Sequence, residues 1–165
     1  MLVADSPVTE DLTTGYALSG YKEHQLREFS KNAGLTYDNF YRTCLVKDKL
    51  EPARSKKKNI SEIEGCSIQL KEVVPQYSQI FLDEVRTLQP NLIVPLGELS
   101  FQFLTGLQSI RKFRGSILKL NAIHQIEKYT KILPILGPYP YLNKEYSLKF
   151  ITQIDFNKIP KWTGS

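Results

Sequence analysis

The side chains best suited to chemistry gather at the start of the chain. Asp5 ends the apolar run Met1-Leu2-Val3-Ala4, and Ser6-Pro7 follow at once. Glu10 and Asp11 come next, then Thr13, Thr14, Gly15 and Gly20. A carboxylate fixed at such a place can take a proton from water or oppose positive charge developing on a substrate. Asp5 is the first candidate for that role and Asp11 the second, with Ser6 beside them. The plainer alternative is an ordinary exit from a strand into a loop with solvated carboxylates. His24 and His124 are far apart and lack metal-ligand spacing. His24 falls on a polar helix and reads as solvent-facing; His124 reads as part of a surface turn. Cys44 and Cys66 are too few for a disulfide framework or a four-ligand metal site. No Gly-rich lysine loop, dinucleotide fingerprint or G-x-S-x-G elbow is present.

The elements that must position these residues alternate in type. Met1–Ala4 reads as a buried strand, stopped by Pro7, which disfavours helix at Ser6. Tyr21–Asn32 reads as a surface helix closed by Gly34, and Phe40–Val46 as a second strand. Ser61 and Glu64 have the capping-box spacing that opens a helix carrying Ile63, Cys66, Ile68 and Leu70. Pro75 interrupts it, and an amphipathic pattern resumes through Ile80, Phe81, Val85 and Leu88. Asn91–Gly97 is the clearest central strand, leading into a short helix over Glu98–Leu104. Gly106–Arg114 reads as a loop, Gly115–Leu120 and Lys131–Leu136 as strands, Leu142–Phe150 as the last helix, and Ile154–Ile159 as a short exit segment. Strands alternating with helices predict a three-layer α/β/α fold with a mainly parallel central sheet. Open sheets of this kind bind ligands beyond the carboxyl ends of their strands, which is where Asp5 stands.

Composition agrees with one globular domain over residues 1–165, at 41% hydrophobic and 24% charged residues. No apolar run approaches the roughly 20 residues that span a bilayer, and no signal-peptide pattern is evident. With two cysteines, a reduced, cytoplasmic setting is expected. The net charge of +5 permits nucleic-acid binding, and Lys47, Lys49, Arg54, Lys56, Lys57 and Lys58 cluster in one basic stretch. Such a run is a solvated loop or a set of phosphate contacts.

Ala4-Asp5-Ser6-Pro7 with Glu10-Asp11, Gly15 and Gly20 resembles the first motif of the uracil-DNA glycosylase superfamily, family 4 type. That motif begins Gly-Glu-x-Pro-Gly and ends Gly-x-Pro-Phe-x-Gly. Tyr41–Lys47 is similar to the segment ending Thr-Asn-x-x-Lys-Cys, and Glu62–Leu70 to the helix start with a cysteine. Leu88–Gly97 resembles Leu-x-Pro-x-x-Ile-Val-x-Leu-Gly. Arg114-Gly115 fits the Arg-Gly turn, and Leu133–Pro138 the final Pro-Thr-x-His-Pro. Their order and spacing hold over nearly the whole chain. The resemblance extends to glycosylase-like domains that accompany DNA polymerases in some bacteriophages.

The resemblance implies that Asp5 takes the place of the catalytic glutamate and that Asp11 assists. It implies a base pocket formed by Ser6, Leu18, Cys44 and Gly137. The departures fall on that pocket. Cys44 replaces the asparagine that reads uracil's polar edge, and a thiol cannot make an amide's paired contacts. Gly137 replaces the histidine that stabilises the departing base, and Leu18 replaces the stacking phenylalanine. One cluster cysteine falls on Asp48 and only Cys66 remains, so no iron–sulfur cluster and no other cofactor is expected. DNA contacts are expected from Lys56, Lys57, Lys58 and Arg114, and from Tyr139 and Tyr141 as stacking or wedging groups. Three readings compete. The first is a divergent glycosylase-fold DNA-binding protein with weak, altered or lost base excision. The second is an active glycosylase for uracil or another deaminated base. The third is a non-catalytic interaction module whose partner is a DNA polymerase or another replication protein, in the host cell if the chain is viral. None of the three involves a membrane.

Overall fold

The computed structural model describes residues 1–51, 60–138 and 146–163. Lys56, Lys57, Lys58, Tyr139 and Tyr141 lie outside the described residues.

The strands are short and apolar: β1 (Leu2–Ala4), β2 (Arg42–Cys44), β3 (Leu92–Pro95), β4 (Leu118–Lys119) and β5 (Lys131–Ile132). They form one sheet in the order β2-β1-β3-β5-β4. β1 runs parallel to β2 and β3, β3 runs parallel to β5, and only β4 is antiparallel. The mainly parallel sheet expected from the sequence is therefore the observed one. Pairing runs beyond the formal strand ends. The Leu45 and Val46 amides donate to the carbonyls of Ala4 and Asp5, and those of Leu133 and Ile135 to Ile93 and Pro95.

Side chains alternate across this sheet with the strand period. Leu2, Ala4, Leu92, Val94 and Leu96 face one core with Leu26, Phe29, Phe156 and Ile159. Val3 and Ile93 face the other with Cys66, Phe81, Val85, Leu99 and Leu104. One layer is thus α2 (Tyr21–Asn32), α7 (Tyr146–Phe156) and α8 (Ile159–Thr163), where the Phe29 and Phe156 rings stack at 5.6 Å. The opposite layer is α3 (Glu62–Glu72), α4 (Ser78–Leu88) and α5 (Glu98–Thr105). Cys44 packs in the first core and Cys66 in the second, so the sheet separates the two thiols.

The helix starts follow local chemistry. The Ser61 hydroxyl accepts the Glu64 amide at 3.2 Å, the forward half of the expected capping box. A 3₁₀ turn at Val74–Gln76 carries Pro75 between α3 and α4.

Several expectations need correction. The polar stretch after Pro7, read as loop, contains α1 (Thr9–Thr14), closed by left-handed Gly15. The Gly106–Arg114 loop contains α6 (Ile110–Phe113). Its first turn is held by the buried Glu98 carboxylate, which accepts the Ser109 and Ile110 amides. The strand read over Gly115–Leu120 is only Leu118–Lys119. The last helices are Tyr146–Phe156 and Ile159–Thr163, rather than Leu142–Phe150 with a short exit; residues 142–145 lie outside the description. The short helix α6, fixed by a side chain outside it, leaves no periodic signal.

Candidate functional site

The carboxyl ends of the four parallel strands lie side by side. In sheet order they present Cys44, then Ala4-Asp5, then Leu96-Gly97, then Leu136-Gly137. The sheet therefore brings together segments far apart in the chain.

Asp5 sits over the start of α5. The Leu99 and Ser100 amides donate to its two carboxylate oxygens at 3.2 and 2.8 Å. Asp5 caps α5 from another strand, a place that Gly97 keeps open. A Cβ at Gly97 would overlap the Asp5 carboxylate itself. Burial pushes the Asp5 carboxyl above its ordinary value, and the two amides and the Lys22 charge only partly offset that.

Asp11 has a different environment. Its side chain is buried and accepts the Val8 amide at 3.0 Å, the Ser19 amide at 2.9 Å, the Ser19 hydroxyl at 2.8 Å and Lys22 Nζ at 3.3 Å. Burial alone would raise its pKa, but these donors and the lysine charge hold it below the ordinary value. Such a carboxylate ties the loop together.

Leu18 completes the loop in an unusual conformation. It is a buried residue in the left-handed region, with φ of 59°. The Tyr37 hydroxyl donates to its carbonyl at 3.1 Å, and the neighbouring Ser19 amide is the one bonded to Asp11. Left-handed geometry costs a non-glycine residue about 1–2 kcal/mol. Here those bonds hold it.

Asp5, Ser6, Leu18, Lys22, Glu62 and Gly97 line one cleft of about 180 Å³, closed by Ala4, Leu96 and Pro138. Gly137 stands at its edge. A Cβ there would overlap the Leu96 carbonyl oxygen, so the backbone leaves no room for a side chain. Cys44 and Asp11 line the adjoining groove instead, about 310 Å³, with Pro7, Tyr16, Arg42 and Lys47. The structure thus gathers Asp5, Ser6 and Leu18 in one cleft, borders it with Gly137, and places Cys44 and Asp11 next door. Burial, with the Asp11 charge, pushes the Cys44 thiol up to about 11, so it is neutral at ordinary pH. The Cys66 thiol is also pushed up, first by burial. Two thiols, packed in cores on opposite faces of the sheet, are too few and too far apart in the fold to hold an iron–sulfur cluster. Among the described residues no three His, Cys, Asp or Glu side chains converge as metal ligands.

Arg114 is half-exposed and engaged, donating to the buried carboxylate of Asp155 at 2.7 Å. His24 is exposed. His124 lies in a surface turn, Ala122–His124, as expected, with its ring packed on Phe103 at 4.3 Å and its Nε2 contacting the Phe103 carbonyl. A further hollow of about 260 Å³, lined by Leu35, Phe40, Leu92 and Val94 among others, lies at the opposite, amino end of the strands. It holds none of these groups.

Sequence reasoning missed Lys22. Its spacing from Leu26 and Phe29 places it on the buried face of α2, and that periodicity was the available signal. The left-handed turn at Leu18 left no signal at all. No helix among the described residues is long and apolar enough to cross a membrane. A family model described as the uracil DNA glycosylase superfamily matches residues 1–156 of the 165.

Proposed function

The chain belongs to the uracil DNA glycosylase superfamily, and on that premise we propose that it is a divergent member that binds DNA and excises uracil weakly or not at all. The observation that carries this reading is Gly137. It occupies the place of the base-stabilising histidine, and the Leu96 carbonyl fills the space any side chain would need. Cys44 adds to it, since a neutral thiol facing the adjoining groove is no substitute for an amide reading a base edge. Losing one preorganised donor costs on the order of 10²–10³ in rate. Asp5, a carboxylate at the place of the family's glutamate, partly buried in the cleft and with a raised pKa, favours a residual or altered excision over none.

DNA is the partner, held by phosphate contacts from Lys56, Lys57, Lys58 and Arg114, with Tyr139 and Tyr141 as aromatic contacts. A replication protein such as a DNA polymerase is a further partner on this reading. The deciding experiment incubates labelled single- and double-stranded oligonucleotides containing uracil, hypoxanthine or xanthine, recording binding and base release together. Salt-sensitive binding with slow or absent uracil release is the expected result, and Asp5→Asn should bind as before. Rapid uracil release abolished by Asp5→Asn would make the chain an active uracil glycosylase. Absence of both binding and release would leave an interaction module.

A further inference from the structure

We infer that Lys22 is the anion-stabilising group of the cleft and selects bases that leave readily as anions. This rests on the reading of that cleft as the base site. Lys22 lines it, yet its side chain is only 9% exposed. An ammonium withdrawn from water is costly unless its protons are used. Among the described residues its hydrogen-bond acceptor is Asp11 Oδ2, at 3.3 Å. An ammonium has three donors and no acceptor, so the cleft offers a base oxygen or nitrogen a charged donor. Asp11 is meanwhile satisfied by Val8 and Ser19 without Lys22.

In the reaction this assigns, the C1′–N bond breaks and its electron pair leaves on the base, which Lys22 receives as an anion. Water adds to C1′ and gives up a proton to the Asp5 carboxylate. With no amide at position 44 to read a pyrimidine edge, selection rests on the acidity of the base. Xanthine, the most acidic of the deaminated bases considered, is then preferred over uracil. The charged and titratable groups around Lys22 are Asp11 on α1, Asp5 after β1, Cys44 on β2 and Glu62 on α3. The Lys22 charge lowers Asp5, Asp11 and Cys44, so Lys22→Met shifts their titration while Lys22→Arg keeps the charge and serves as the control.

The test titrates free xanthine into the whole protein by calorimetry across the pH range in which xanthine loses its proton. DNA binding is measured on the same samples. Wild-type affinity should rise about tenfold or more on forming the anion. Lys22→Met should abolish that rise while keeping salt-sensitive DNA binding, and Lys22→Arg should keep part of it. A pH-independent wild-type affinity, or no xanthine binding at any pH, overturns the inference even if Lys22→Met does not fold. So does an unchanged rise in Lys22→Met. Loss of DNA binding by the wild type would instead defeat the broader reading, and the xanthine titration reads independently of it.

Discussion

At Gly97 and Gly137 the absence of a side chain decides what a neighbour can do. Gly97→Ala would drive the Asp5 carboxylate off the α5 amides. Two charge-assisted bonds and a helix cap are lost together, so unfolding in urea should show a loss of about 2–3 kcal/mol. Any base release that depends on Asp5 should go with it. Gly137→His is the obvious attempt to rebuild the family's site. It places atoms on the Leu96 carbonyl, which directly follows β3 and is pinned by the Leu96 amide's bond to the Val3 carbonyl. Overpacking of this kind costs about 1–3 kcal/mol. The expected outcome is a less stable protein with no gain in uracil release. A gain would show that the backbone yields and that the histidine alone was missing.

The loop between β1 and α2 holds a half-buried and a buried carboxylate, Asp5 and Asp11, with opposite effects on stability. Asp5 has a folded pKa raised above its ordinary 3.8, so its contribution is full below that value and is lost as pH rises through the folded one. Asp11 is lowered from the same 3.8, so its contribution is present above that value and is lost as pH falls through the folded one. Asp11→Asn should therefore cost about 3–5 kcal/mol at neutral pH, the range for breaking a buried pair, and the deficit should shrink in acid. Asp5→Asn should show the reverse slope, with the wild type gaining on the variant as pH falls. Unfolding of both variants from neutral pH down through the carboxylate range checks the two slopes. Equal slopes would mean that the two environments are not distinct.

Across the whole molecule, the sheet sets the cleft at one end, and the expected DNA contacts must come from the segments around that end. The basic run at Lys56–Lys58 follows β2, whose carboxyl end borders the cleft. If these lysines meet phosphates, replacing all three by Gln should weaken DNA binding and flatten its dependence on log salt by about 2–3 units, near 0.9 per contact. An unchanged slope, measured by fluorescence anisotropy over a salt series, would place the phosphate contacts elsewhere.

Alternation of apolar runs with helical periods was enough to read the layered sheet, since burial on one or both faces imposes those periods locally. Asp5 was legible too, because Pro7 ends the strand where the carboxylate must emerge. The sequence order also placed Gly137 just past a strand and Cys44 within one. Which cleft each faces was not legible, since it depends on segments distant in sequence: Cys44 meets Asp11, Tyr16 and Lys47 around the adjoining groove. The roles of Asp5 and Asp11 also waited on the fold, because they differ by partners rather than by type. One meets the amides of a helix almost a hundred residues away, the other a serine and a lysine folded back by a left-handed leucine. Local patterns record which side chains must leave water. Which groups then meet, and so which carboxylate is raised and which lowered, is decided only when the sheet brings the strand ends together.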